Sequence, residues 1–158
     1  MTQLKVRDLM TTQVVTLKPG DTVKRATIKF AVDNISGAPV VDNRNHLVGI
    51  LSEDDILNLI VRRQEKMGAG GAKMLSYPMD SEIDNVALQD AADEVSNTKV
   101  EDIMTRSVLT TTPDAVIVEV LKAMLERKIN RVPVLEKGVL VGIISRGDIV
   151  FHIYKRKV

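Results

Sequence analysis

The sequence predicts a mixed α/β (α+β) chain made of two copies of one β-α-β-β-α unit, on three observations. A ten-residue phrase occurs twice, as Leu47-Val48-Gly49-Ile50-Leu51-Ser52-Glu53-Asp54-Asp55-Ile56 and as Leu140-Val141-Gly142-Ile143-Ile144-Ser145-Arg146-Gly147-Asp148-Ile149. Other anchors keep register with it: Met10-Thr11 returns as Met104-Thr105, Pro19 as Pro113, and Ala38-Pro39-Val40 as Val132-Pro133-Val134, each at an offset of 94 residues. The offset falls to 93 at the Ser-x-x-Asp, where one residue is lost from the preceding loop. Within each copy, apolar residues at helical spacing alternate with short apolar runs bounded by Gly, Pro, Asn and Asp. These signals set repeat 1 at residues 1–66, an acidic linker at 67–97 and repeat 2 at 98–158.

Lys5-Val6-Arg7-Asp8-Leu9-Met10 reads as a single helical turn, stopped by Thr11-Thr12. Val14-Val15 is a brief β segment, and Leu17-Lys18-Pro19-Gly20-Asp21-Thr22 a turn leading to a helix cap. Val23, Ala26, Thr27 and Phe30 recur at helical spacing, predicting an amphipathic helix across 22–33. Gly37 to Val41 is a strand, Asn43-Arg44-Asn45 a hairpin turn and Leu47 to Leu51 the return strand. From Glu53 the pattern Ile56, Leu57, Leu59, Ile60 is helical to about Lys66, where Gly68-Ala69-Gly70-Gly71 breaks it. In the linker, Ser81-Glu82-Ile83-Asp84 resembles the cap of an acidic helix ending near Val95, either a docked, solvated connector or a lid or partner-docking surface near the ligand cleft. Thr98-Lys99-Val100-Glu101 matches a capping box opening repeat 2. Val108-Leu109 is its short β segment, and Ile117, Val120, Leu121 and Met124 are its helix. Val132–Leu135 with Val139–Ile144 is its hairpin, Gly147 to about Tyr154 its last helix, and Lys155-Arg156-Lys157 a basic tail.

Composition narrows the function classes. A hydrophobic content of 44% over 158 residues can bury a real core. A formal charge of +1 and 3% aromatic residues argue against nucleic acid as partner. The lack of cysteine removes disulfides, thiol catalysis and Cys-based zinc sites. No stretch reads as a signal peptide or a membrane span, so no membrane association and a cytoplasmic location are expected.

The repeated phrase carries the site chemistry. A short buried strand ends in Ser145, and Arg146-Gly147-Asp148 opens the next helix. A hydroxyl and free backbone N–H groups then meet at a helix N-terminus, which suits an anion. Asp148 lies in the first turn, where its carboxylate can accept from two hydroxyls. Phosphate and ribose fit such a set, and Ser52 and Asp55 repeat it. The competing reading is a strand-end N-cap, since Ser and Asp are favoured there without any ligand. Met10, Met104 and Met124 read as core fillers, and His46 and His152 lack ligand spacing.

Met-Thr ahead of the short β segment, the helix running into a Pro-Val strand, and Gly-x-x-Ser-x-x-Asp at strand end together resemble a CBS domain. Two in tandem resemble a CBS pair, or Bateman module. The resemblance covers both repeats and implies two β-α-β-β-α units packed through their sheets about a pseudo-two-fold. It also implies two clefts for adenosine ligands such as AMP, ADP, ATP, or S-adenosylmethionine and its relatives. Carried over, Asp55 and Asp148 would accept from ribose hydroxyls, and Ser52 and Ser145 would meet phosphate or ribose oxygens. Gly37-Ala38-Pro39 and Arg131-Val132-Pro133 would line the adenine pocket through their backbones. Thr11, Val14, Thr105 and Val108 would form a pocket wall. Asn130-Arg131-Val132-Pro133 resembles the His-Arg-x-Pro of AMP-sensing members, in which the Arg binds phosphate; Asn130 stands where that pattern has His.

Charge separates the two sites. Arg146 follows Ser145, and with Arg131 two guanidiniums are expected to clamp a phosphate. Glu53 and Asp54 follow Ser52, and carboxylates repel a dianion. The Asp148 site is therefore expected to take AMP, ADP or ATP. The Asp55 site is expected to be empty, weaker, or suited to a neutral or cationic adenosine derivative. If Mg²⁺ accompanies ATP, Glu53 and Asp54 are the carboxylates to face it, though two alone make no metal site. No cofactor is required for this reading. An enzyme is not expected, because no nucleophile–base pair, Walker loop or metal-ligand cluster is present. The expected function is a regulatory ligand sensor, a homodimer acting on another, unidentified protein. The alternative is a structural dimerisation or partner-docking module with vestigial clefts, paired through the apolar helices Ile56 to Ile60 and Ile149 to Ile153.

Overall fold

The chain is seen here in a computed structural model that describes residues 3–67 and 81–155. Among these residues six helices and four strands follow in order: α1 (Val6–Leu9), α2 (Val23–Asp33), β1 (Gly37–Val41), β2 (Leu47–Ser52), α3 (Glu53–Met67), α4 (Ser81–Val95), α5 (Ile117–Arg127), β3 (Arg131–Glu136), β4 (Val139–Ser145) and α6 (Arg146–Lys155), with a 3₁₀ turn at Val100–Asp102. The mixed α/β class and the repeated helix–hairpin–helix order are as predicted. The breaker at Gly68-Ala69-Gly70-Gly71 and the tail beyond Lys155 lie outside the described residues, as do the side chains of Ser81 to Asp84.

Local chemistry explains the helix ends. Thr22 caps α2 by accepting from the Arg25 N–H at 3.1 Å. Both α2 and α5 stop on a residue in the left-handed region, Asn34 at φ 53° and Lys128 at φ 56°. The next amide then closes back, Ile35 N–H to the Phe30 carbonyl at 3.0 Å and Ile129 N–H to the Met124 carbonyl at 2.8 Å. Lys137 at φ 53° and Gly138 at φ 83° form a two-residue turn between β3 and β4, the type whose twist suits a tight hairpin.

The fold divides into two compact units that do not follow the repeats. The first holds Met1–Thr16, Pro39–Gly49 and Arg106–Val158; the second holds Leu17–Ala38 and Ile50–Thr105. In the first, Val6 from repeat 1 is fully buried among Ile117, Val120, Met124, Val132, Val134, Ile144 and Ile149 from repeat 2. Its N–H donates to the Ala115 carbonyl, and Ile117 N–H donates to the Leu4 carbonyl, both at 2.9 Å. Thr11 exchanges both backbone bonds with Ile143, at 2.8 and 2.9 Å. Thr11 thus lies on the free edge of β4, whose other edge pairs antiparallel with β3. Gly142 permits this approach: a Cβ there would stand 2.8 Å from Met10 Sδ and 3.0 Å from the Thr11 carbonyl oxygen.

The second unit repeats the arrangement with the roles reversed. Lys99 bridges Thr22, Val23 N–H donates to the Thr98 carbonyl at 2.8 Å, and Thr105 exchanges both backbone bonds with Ile50 at 2.9 and 2.8 Å. Each repeat's opening segment is built into the body of the other. In this unit α4 lies along α3, burying Ala91 and Val95, and Arg63 grips Glu94 in a two-pronged ion pair at 2.8 and 2.9 Å.

Two local expectations are corrected. Val14-Val15 and Val108-Leu109 form no strand; the pairing falls instead on single residues such as Thr11, Thr105 and Thr111. Thr111 donates to the Pro133 carbonyl at 3.0 Å and accepts from Leu135 N–H at 2.8 Å, which makes a one-residue parallel bridge beside β3. The N-cap falls one residue later than expected: Lys99, not Thr98, holds the N-cap place of the 3₁₀ turn, with no side-chain cap bond.

Candidate functional site

Each Ser-x-x-Asp closes a strand-to-helix turn by a reciprocal pair of bonds. Ser145 N–H donates to Asp148 Oδ2, and Asp148 N–H donates to Ser145 Oγ, both at 3.0 Å. In the second unit Ser52 N–H donates to Asp55 Oδ2 at 3.0 Å, and Asp55 N–H to Ser52 Oγ at 3.3 Å. The N-cap reading is therefore right about the geometry, and it leaves chemistry over. Each Ser hydroxyl accepts in the cap and keeps its proton to donate. Each Asp spends one oxygen on the cap and has another.

The second oxygens differ. Asp55 Oδ1 lies 3.4 Å from the Thr105 hydroxyl, a long and weak bond that nevertheless covers the position. Among the described residues, Asp148 Oδ1 has no such partner and keeps its capacity to accept. Thr105 therefore stands with Asp55 in the second unit, whereas Thr11 stands on the β4 strand that ends at Ser145 in the first. The equivalence of the two threonines in sequence hid this, because each opening segment serves the opposite repeat.

The remaining candidates divide between the units. With Asp148 in the first lie Ser145, Arg146, Arg131, Val132, Pro133, Thr11, Val14, Val108 and Pro39; with Asp55 in the second lie Ser52, Thr105, Gly37 and Ala38. Arg131 opposes Ser145 in the β3–β4 register and is half-buried. Val132 and Pro133 oppose Ile144 and Ile143 and are buried, Val132 with its side chain in the core, so only its backbone could meet a ligand. Gly37, Ala38 and Pro39 are buried in β1, while Val14 and Val108 are half-buried.

Arg146 is held by backbone carbonyls in this structure. Its guanidinium turns away from the Ser145 hydroxyl to the end of α5, with Nε donating to the Ile129 carbonyl at 3.0 Å and Nη2 to the Met124 carbonyl at 3.1 Å. These charge-assisted bonds fall on a carbonyl in the last turn of α5 and on one just beyond its C-cap. Sequence could not place it there, because the destination depends on where α5 ends in space.

Glu53, Asp54 and Asp55 all lie in the first turn of α3, whereas the first turn of α6 carries Asp148 alone. The two turns thus offer an anion different fields. Among the described residues, no group of three or more His, Asp or Glu is arranged to hold a metal. No helix among them is long and apolar enough to cross a membrane.

The chain is thus a pair of tandem α/β repeats, each ending its hairpin in a Ser–Asp turn at a helix N-terminus. The CBS domain matches residues 6–62 and again 100–155, and the chain belongs to the CBS-domain family as a tandem pair. It is 32% identical over 149 residues to the uncharacterized protein MJ1426 of Methanocaldococcus jannaschii, covering 92% of this chain and 88% of that one. It spans only 41% and 32% of two longer relatives from the same organism, MJ1225 and MJ1404. Among solved structures, CBSX2 in complex with AMP is 27% identical with a TM-score of 0.72, each chain covered to 98%. CBSX2 from Arabidopsis thaliana gives 26% and 0.77, covering 99% of this chain and 98% of that one.

Proposed function

We propose that this chain is a regulatory, non-catalytic module that binds an adenosine ligand at the Ser145–Asp148 turn. The observation that carries the reading is Asp148 itself, capped through Oδ2 with Oδ1 left to accept, beside a Ser hydroxyl and opposite Arg131. The AMP bound by CBSX2, a relative matching over nearly the whole chain, supports the ligand class. AMP, ADP or ATP fits the Asp148 turn better than the Asp55 turn, where two further carboxylates stand against a phosphate and Thr105 covers the second Asp55 oxygen. The Asp55 turn is left to a neutral or cationic adenosine derivative, or to weaker binding.

Thermal unfolding against AMP, ADP, ATP with and without Mg²⁺, S-adenosylmethionine and methylthioadenosine tests this. A ligand at about 100 times its Kd adds about 2.7 kcal/mol. Asp148→Asn keeps an oxygen for the cap but loses the charge, so it should abolish the shift, and Asp55→Asn should keep it. Equal loss in both variants would overturn the unequal sites, and no shift from any ligand would overturn the adenosine reading.

A second reading has its own observation. Leu57 and Val61 on α3 are 56% and 46% exposed, and their repeat-2 counterparts Val150 and Tyr154 on α6 are 52% and 65% exposed, alongside Phe151 and Ile153. Unpartnered apolar stripes at equivalent places suit a homodimer with or without ligand, acting on a regulated protein in the cytoplasm. Sedimentation of wild type against Val150→Asp and Leu57→Asp reads it: a monomeric wild type excludes it.

A further inference from the structure

We infer that Arg146 is a positioning residue that mechanically couples the Ser145–Asp148 turn to the C-terminal end of α5; the ligand-linked half of this inference rests on the adenosine reading above. Three bonds from this one residue reach a seven-residue stretch. Its N–H donates to the Asn130 carbonyl at 3.0 Å, and its guanidinium donates to the Ile129 and Met124 carbonyls at 3.0 and 3.1 Å. The residue is half-buried, so these bonds are partly shielded from water.

The end of α5 needs such support. Lys128 there adopts φ 56°, a conformation that costs any residue with a Cβ, and Lys lacks the local hydrogen bonding that lets Asn tolerate it. A guanidinium on the terminal carbonyls offsets that cost and complements the helix dipole. Repeat 1 supplies the internal control. Its backbone bond is retained, Glu53 N–H to the Ser36 carbonyl at 2.9 Å. Its side chain cannot donate, and α2 ends instead on Asn34 at φ 53°. Among the described residues, no guanidinium reaches from the first-repeat turn to the end of α2 as Arg146 reaches to α5.

The consequence is directional. Asp148 and Arg146 sit in one helical turn, so immobilising the turn immobilises the guanidinium, which holds the end of α5. Further along α5, Met124, Val120 and Ile117 are core residues of the first unit. Occupancy at Asp148 therefore tightens the end of α5, and occupancy at Asp55 has no equivalent route through the Glu53 side chain. The arginine predicted to hold phosphate works instead as the link from the site to the scaffold.

Amide hydrogen exchange on the full chain tests this, comparing wild type, Arg146→Gln and Arg146→Lys with and without AMP as probe. Without ligand, Arg146→Gln should speed exchange about tenfold at the Ile129 amide and also at the amides of Arg146 and Asp148, with Arg146→Lys intermediate. Loosening confined to the α5 end would overturn the coupling, whatever AMP does. With AMP, wild type should gain protection at Ile129, and Arg146→Gln should gain it at Asp148 only. Equal gains at Ile129 in both proteins, or faster exchange there on binding, would overturn the ligand-linked half. Failure of AMP to bind wild type would sink the adenosine reading and that half with it, while the ligand-free arm still decides the coupling.

Discussion

His152 shows how a single side chain departs from its repeat. It lies on α6 with Nε2 buried and without a hydrogen-bond partner among the described residues. The equivalent residue of repeat 1 is Leu59, which has no polar atom to satisfy. An unpaired buried nitrogen costs about 1–3 kcal/mol, so His152→Leu should raise stability by about 1 kcal/mol, read as a higher urea midpoint. A lower midpoint would mean that the imidazole packs better than the isobutyl group despite its orphaned nitrogen. Lys128 offers the matching backbone test. Lys128→Gly removes the Cβ penalty at φ 56° and should also gain about 1 kcal/mol, whereas Asn34→Gly should gain less. Equal gains at both positions would mean that Asn34 carries the same strain.

At the scale of elements, the linker helix is held by chemistry that pH can address. The two bonds from Arg63 hold the Glu94 carboxyl below the usual glutamate value, and the same contact raises Arg63. A carboxylate whose value is depressed on folding contributes stability above its unfolded value, and loses it as pH falls through the folded one. Amide protection of α4 relative to α5 should therefore drop between about pH 5 and about pH 3, and Glu94→Gln should flatten that dependence. Both partners are 44% exposed, so the effect is local to the docking of α4 rather than global. An α4 profile unchanged by Glu94→Gln would show that the ion pair does not hold the helix in place. Sequence made this helix legible from Ser81 to Val95, and α2, the hairpins and α3 likewise, because apolar period, caps and turn residues act over a few positions. The Ser–Asp turns were legible for the same reason, since both bonds of each span three residues. Arg146 and Thr105 were not. What each side chain meets lies at a sequence separation of 17 or more for Arg146 and 50 for Thr105, and no local pattern carries that information.

At the scale of the whole molecule, the repeats are units of sequence, and each compact body draws on both of them. Lys5 pairs with Val116 and Lys99 with Thr22, which are the same pairing read in opposite directions across the duplication. The apolar face of Val6 is equivalent to that of Val100, so nothing in either opening segment declares which body receives it. The exchange nevertheless has a cost if broken. A fragment of residues 98–158 lacks Val6, leaving a valine-sized hole among Ile117, Val120 and Ile144, and it leaves the Ile117 N–H without the Leu4 carbonyl. Such a hole and an unpaired amide together cost several kcal/mol, a large share of what a domain of this size has. The fragment should therefore be unfolded as a dilute monomer, by circular dichroism and amide exchange, even though it contains a complete repeat. A peptide of residues 3–16 added in trans should restore protection in β3 and β4, and a peptide carrying Val6→Asp should not. At high concentration the fragment has one other route, in which two copies exchange their own Lys99 to Thr105 segments, and its folding would then depend on concentration. A fragment that folds as a monomer without the peptide would show that the opening segment decorates the body of repeat 2 rather than completing it.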